Sequence, residues 1–302
     1  MSEQRRGLLF GIGAYGLWGL FPLYWPLLEP AAPLEILAHR IVWSLLFLAA
    51  LVWLRRRYAT VRAALLDRRT RIALVVASLV IGLNWFLFIW AVNNNHVVET
   101  SLGYFINPLV SVAMGVAVFG ERLRRLQWAA IGIAVAGVLW LTVEYGRPPW
   151  ISIVLALSFG TYGLAKKMAN VGAVQSITVE TLVLAPLALG YLVTLQATGT
   201  GGLGQHGTAH TLLLVGAGVA TALPLLCFGA AATRIPLSMI GMLQYLTPTL
   251  QFLIGVFLYG EPMTSARWVG FALVWLALVV FTAETLNHRR RQLRTDVEAT
   301  AA

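Results

Sequence analysis

The chain has 302 residues, 59% of them hydrophobic and 11% charged, with a formal net charge of +10 and a mean hydropathy of +0.77. That is too apolar for a soluble domain of this length, and the apolar residues come in runs of about 20, the length that crosses a bilayer as a helix. A transmembrane barrel would show short alternating segments instead, and basic residues placed between apolar runs point to lipid headgroups and orientation rather than to nucleic acid.

Ten spans are expected, at 7–25, 35–54, 72–92, 98–119, 126–144, 149–166, 176–195, 210–232, 235–258 and 266–285. The expected fold class is an all-α polytopic membrane protein. The first run follows MSEQRR, carries bulky aromatics and lacks a small-residue cleavage site, so it is expected to remain as a span. Within it Gly11, Gly13, Gly16 and Gly19 are expected to allow close helix approach, and Tyr15 and Trp18 are candidate cavity residues. The second span carries His39 and Arg40. Ionisable groups within a bilayer are expensive and face a partner or a cavity. Residues 55–71 form a strongly basic loop. The third span carries Asn84 beside Trp85.

The fourth span, with Tyr104, Asn107 and Pro108, opens the clearest pattern in the chain. Ser101–Glu121 reads SLGYFINPLVSVAMGVAVFGE, and the same plan returns 140 residues later at Gly241–Glu261, GMLQYLTPTLQFLIGVFLYGE. Pro108 matches Pro248, Gly115 matches Gly255, and Gly120–Glu121 matches Gly260–Glu261. In the same register Trp128 matches Trp268, Thr142 matches Thr282 and Glu144 matches Glu284. Matched Pro, Gly, Glu and Trp in one register indicate two homologous halves. The halves are expected at 1–145 and 146–288, followed by a tail at 289–302. Five spans per half is an odd number, so the second half is inverted relative to the first, as in secondary transporters whose substrate site lies between the halves.

In the second half, Tyr162 echoes Tyr15, Glu180 lies within the seventh span, and Gln244, Tyr245, Pro248 and Gln251 cluster in the ninth. The two prolines each free a carbonyl that must find a partner in protein or cavity water, which makes them candidate weak points lining a cavity. Glu35 and Glu99 stand at helix starts, where carboxylates suit the dipole as caps. Glu121 is expected to pair with nearby arginines. Gly199, Gly201 and Gly204 satisfy G-x-G-x-x-G but lie in a loop between apolar runs, outside the strand–helix context that dinucleotide binding needs. No zinc, paired-cysteine or P-loop pattern occurs, no cofactor or metal is expected, and the single cysteine, Cys227, has no partner within the chain.

With the N-terminus placed in the cytoplasm, nineteen of the 22 basic residues fall in cytoplasmic segments and only Arg147 and Arg267 in outer loops. That asymmetry sets both termini inside under the positive-inside rule. Arg40 then lies ~7 Å into its span from the outer side and Glu180 a similar depth from the inner side. Across a ~30 Å core direct pairing is not expected, and the two are read as serving opposite ends of one pathway.

His39–Arg40, Asn84–Trp85, the run Asn93–Pro108 (NNNHVVETSLGYFINP), GERLRR at Gly120–Arg125, PLLCFGAAATR at Pro224–Arg234, Gln244–Tyr245 and Pro248–Thr249 together resemble the RarD, or "chloramphenicol-sensitive protein", branch of the EamA-type drug/metabolite transporters. The resemblance covers nearly the whole chain. It implies ten helices in two inverted EamA repeats, a bacterial plasma-membrane location and small-molecule transport, with drug efflux as one form. The expected function is therefore secondary transport by alternating access, export being the direction the resemblance implies and uptake the alternative. A membrane enzyme would need catalytic groups clustered near one interface, and a sensor would need larger cytoplasmic segments. Expected partners are a small-molecule substrate and the lipid bilayer. Protons are a candidate coupling ion, with Glu180 and His39 as candidate carriers, and a homo-oligomer is a candidate assembly.

Overall fold

The computed structural model describes residues 2–120, 123–235 and 237–301. Its elements are helices, and ten of them account for the ten apolar runs: α1 Glu3–Gly19, α2 Pro33–Leu54, α3 Arg68–Asn93, α4 Val97–Phe119, α5 Arg125–Tyr145, α6 Trp150–Ala169, α7 Ala173–Thr198, α8 Gly207–Ala232, α9 Leu237–Leu243 continued by Leu246–Leu253, and α10 Ser265–Ala301. Seven of these are long and apolar enough to span on their own, and α1 with the segment Phe21–Leu28 makes an eighth, bent by 46°. The expected pairing of Glu121 with arginines lies outside the described residues.

Local chemistry explains the boundaries. The Ser2 hydroxyl accepts from the Arg5 amide to start α1, and the Asp67 carboxylate accepts from Thr70 N–H to start α3, each satisfying one orphan donor of the first turn. Pro33 opens α2, where its missing N–H costs nothing. Gly120 and Gly260, repeat equivalents, sit at φ +66° and +62°, a conformation that side chains with a Cβ rarely adopt. A short helix, Tyr58–Leu66, lies in the basic loop between α2 and α3.

The expected spans need correction in three places. The first span does not run straight to residue 25: α1 stops at Gly19 and the chain bends before Phe21–Tyr24 and the 3-10 turn Trp25–Leu28. The sixth extends beyond 166, so Lys166 is a helical residue rather than part of a loop. The ninth is broken at Gln244–Tyr245 and ends in a π turn, Ile254–Leu258. Of the four glycines named in α1, two are contact points. A Cβ on Gly11 would come within 2.6 Å of Leu243 and one on Gly19 within 2.7 Å of Leu250, whereas Gly13 and Gly16 face open space.

The packing repeats between the two halves. α3 packs on α6 as α8 packs on α1; α4 packs on α6 as α9 packs on α1; α2 packs on α8 as α7 packs on α3. The pairs α2–α7, α4–α9 and α5–α10 map onto themselves. Exchanging each helix for the one five places along leaves this set of pairings unchanged. The exchange reaches side chains too. Arg124 is paired with Glu284 through two hydrogen bonds, and 140 residues on from Arg124 and back from Glu284, the Thr264 hydroxyl donates to Glu144 at 2.6 Å. Large apolar side chains such as Leu46, Val143, Leu187 and Phe257 are exposed, while Arg40, Asn84, Glu99, Glu180 and Gln251 are buried. That inversion of the soluble pattern suits a chain whose solvent is lipid.

Candidate functional site

Arg40 and Glu180 each stand about two turns in from the start of their helix, α2 and α7, and these two helices pack on each other. No ion pair joins them; each builds its own surroundings.

Arg40 is 3% exposed. Its Nε donates to Thr221 Oγ1 of α8 at 2.7 Å, and the Thr221 hydroxyl spends its own proton on Ala217 O at 2.9 Å. Three aromatic rings surround the guanidinium: Trp85 of α3 at 4.1 Å, and Trp25 at 5.2 Å and Phe21 at 5.5 Å from the segment after α1. Cation–π attraction contributes roughly 2 kcal/mol per ring when desolvated. Three rings at that value sum to about 6 kcal/mol, comparable with the several kcal/mol that removing a full charge from water costs even after relaxation, but rings supply no counter-charge. Among the described residues no carboxylate lies within ion-pair distance of Arg40, so a buried cation stands without a counter-charge.

Glu180 is the opposite case. It is fully buried, and its carboxylate accepts from Lys166 Nζ at 2.9 Å and Ser176 Oγ at 2.5 Å on one oxygen and from Tyr162 Oη at 3.0 Å on the other. Lys166, one-quarter exposed, neutralises it. The charge partner, Lys166, and the hydroxyl of Ser176 went unnoticed in the sequence. One linear signal was present: the offset of 140 residues that aligns the prolines also aligns Arg40 with Glu180 and Pro26 with Lys166. The second half therefore carries a closed ion pair where the first half has an arginine and, at the position equivalent to the lysine, a proline.

The remaining candidates form hydrogen-bonded groups, one of which borders Arg40 through Tyr104, near enough to interact with it electrostatically. Asn84 is part of a closed knot: its amide donates to Leu155 O at 3.1 Å and Ser158 Oγ at 2.8 Å, and its carbonyl accepts from Tyr104 Oη at 3.2 Å, tying α3, α4 and α6. Tyr15 and Trp18 meet edge to face at 5.4 Å and both touch Phe228 of α8. The broken α9 leans on them: Thr247 Oγ1 donates to Tyr15 O at 2.8 Å and Gln251 Nε2 to Trp18 O at 3.4 Å, leaving Gln251 Oε1 buried with no partner. Asn107 is buried beside Ser111, 3.4 Å away. Tyr245 Oη reaches Thr282 Oγ1 at 3.5 Å, and Gln244 stands at the break. The two prolines behave differently. α4 runs through Pro108 without interruption, whereas Pro248 follows the break in α9 by three residues.

The end of the molecule opposite the basic loops is stitched by carboxylates. Glu99 does not cap its own helix; it accepts from Ile151 N–H at the start of α6 and from Arg147. Glu35 accepts from Gly202 N–H at 2.6 Å, pinning the loop between α7 and α8. His39 accepts from Trp43 Nε1 at 3.2 Å on Nδ1, and its Nε2 lies 3.8 Å from Glu35 without a hydrogen bond. Glu261, missed as a functional residue in the sequence, spans the first two amides of α4, Val97 at 2.5 Å and Val98 at 3.0 Å. Burial raises the Glu261 carboxyl to about 7 despite those two donors. Among the described residues no group of three or more His, Cys, Asp or Glu side chains is placed to hold a metal ion.

An all-helical chain with seven helices long and apolar enough to span, and a bent eighth, is a polytopic membrane protein. The model of the EamA-like transporter family matches residues 5–143. The chain is 53% identical to "Protein RarD" of Streptomyces exfoliatus over 99% of this chain and 95% of that one. It is 44% identical to an "Uncharacterized transporter" of Vibrio cholerae over 97% and 98%, and 42% identical to "Protein RarD" of Escherichia coli over 96% and 98%. A solved crystal structure superposes with a TM-score of 0.60 at 20% identity, covering 93% of this chain and 99% of that one, and shows the fold alone. The chain belongs to the RarD branch of the EamA transporter superfamily.

Proposed function

We propose that this membrane transporter is a secondary transporter exporting a small anionic or polar metabolite or drug across the bacterial plasma membrane by alternating access, with both termini cytoplasmic. One observation carries the substrate charge: Arg40 is buried in an aromatic box with no carboxylate partner, while its repeat equivalent Glu180 is neutralised by Lys166. An uncompensated buried cation is stabilised by whatever anion occupies the site, and that stabilisation is what binding supplies. The planar guanidinium retains its terminal N–H donors for a bidentate contact with a carboxylate or phosphate edge. Export remains the direction that family membership suggests, and the excess of arginines at one end supports the orientation.

Two measurements test the reading. Flux of anionic metabolites from proteoliposomes is expected for the wild type and lost in Arg40→Gln; equal flux in both removes Arg40 from the pathway. A cysteine at exposed Gln205 is expected to label from outside and one at Arg62 from inside, in a Cys227→Ala background; the reverse pattern overturns the orientation. Gln205 is the appropriate probe in its loop because Gly202 is buried against Glu35.

A further inference from the structure

Beside the Arg40 box, the end of α1, the bent segment after it and the middle of α8 line an open apolar cavity of about 280 Å³. Its walls include Leu20, Phe21, Leu23, Leu27, Ala220 and Leu223. Three facts connect it to the guanidinium. Phe21 is at once a wall of the cavity and a ring of the cation's box. Thr221, which holds Arg40 Nε, follows directly after the wall residue Ala220. The break at Leu20 turns the chain by 46° so that Phe21–Leu28 lies across α8, where the Tyr24 hydroxyl donates to Leu213 O at 2.6 Å. The lipid-facing rim is apolar: Leu20, Leu23, Leu27 and Leu223 are 43%, 36%, 57% and 45% exposed. Tyr24 brings a hydroxyl to the lining, and that hydroxyl is already hydrogen-bonded.

An apolar cavity opening toward lipid, sharing a wall with an unpaired buried cation, is complementary to a molecule with an anionic head and an apolar body. We propose that the chain binds amphipathic organic carboxylates that enter sideways from the bilayer between α1 and α8, the carboxylate on Arg40 and the apolar body in this cavity. This rests on the reading of Arg40 as the substrate-anion site and adds to it the substrate class and the route. At about 280 Å³ the cavity lies at the lower edge of the ~300–1,000 Å³ of small-molecule pockets, so a medium-chain or single-ring body fits and a full phospholipid chain does not. Phe21 is the partition the body must displace for the head to reach the guanidinium.

The test uses the full-length protein in nanodiscs and 8-bromooctanoate as probe, whose bromine quenches the fluorescence of nearby tryptophans, Trp25 and Trp85 among them. Saturable quenching is expected, displaced by octanoate but not by octanol, which lacks the charge, nor by acetate, which lacks the body. Arg40→Gln and the cavity-filling Ala220→Phe are each expected to weaken binding about tenfold or more. Should Arg40→Gln not fold, Arg40→Lys keeps the charge while losing the planar fork, and Ala220→Phe leaves the cation untouched. Quenching unchanged in Ala220→Phe, or equal displacement by octanol, means simple partition into lipid and overturns the proposal. Displacement by acetate as effective as by octanoate also overturns it while leaving Arg40 as an anion site, so the two readings fail separately.

Discussion

Arg40 and Glu180 occupy equivalent places in the two halves and have opposite fates. Both are buried charges two turns into their helices. Glu180 is neutralised by Lys166 and bonded by Tyr162 and Ser176; Arg40 has rings on its faces, one hydroxyl at Nε, and a proline at the position where Lys166 stands in the other half. The difference teaches that burial alone does not mark a binding group. On the function proposed above, the saturated pair at Glu180 is a structural fastener and the Arg40 guanidinium is the site for a counter-charge.

The largest effect should come from exchanging the two behaviours. Arg40→Gln is expected to lower transport about a hundredfold while leaving thermal stability unchanged or raised, because it removes an uncompensated buried charge. Glu180→Gln is expected to do the reverse, costing about 2 kcal/mol of stability by orphaning Lys166, with the one-quarter exposure of that lysine limiting the loss. Flux assays beside thermal melts of the two variants check the pair, and matching profiles for both would dissolve the distinction.

Next in size is a graft. Pro26→Glu places a carboxylate at the repeat equivalent of Lys166 and should give Arg40 the internal partner it lacks. Substrate binding is expected to fall by about tenfold or more and the melting temperature to rise. A variant that binds normally would show that position 26 does not reach the guanidinium.

The prolines sharpen the comparison of α4 with α9. Pro108→Ala is expected to be nearly neutral, since α4 already runs unbroken through it. Pro248→Ala should slow transport several-fold by letting the helix close over Gln244–Tyr245, the break where Pro248 withholds its bond. Equal effects at both sites would return the two prolines to equivalence.

The smallest expected effect concerns pH. Glu261, held near 7 by burial and facing Glu99 and Arg267, spans the first amides of α4. If that contact opens, the carboxylate returns to water and to its ordinary value near 4.5. The closed contact therefore binds more protons than the open one between those values, and it loses stability as pH rises through 7. Hydrogen exchange at Val97 and Val98, corrected for the intrinsic rate, should accelerate from pH 6 to 8 in the wild type and stay flat in Glu261→Gln.

The sequence by itself determined the class of protein, its all-helical fold and the register of its repeat. Span length and the register of Pro108 with Pro248 are linear properties, and a bilayer leaves helices as the only solution for runs of that composition. It also located Arg40 and Glu180, because a charge inside an apolar run stands out without knowledge of its neighbours. Only the tertiary structure decided that Lys166 closes on Glu180, that Phe21, Trp25 and Trp85 box Arg40, that Asn84 is spent on Leu155 and Ser158, and that α9 breaks where α4 does not. A membrane helix is apolar toward lipid and toward protein alike, so its periodicity gives almost no indication of which face meets which neighbour. The partner of a buried polar group is fixed by helices distant in sequence, and those contacts arise only when the halves are assembled.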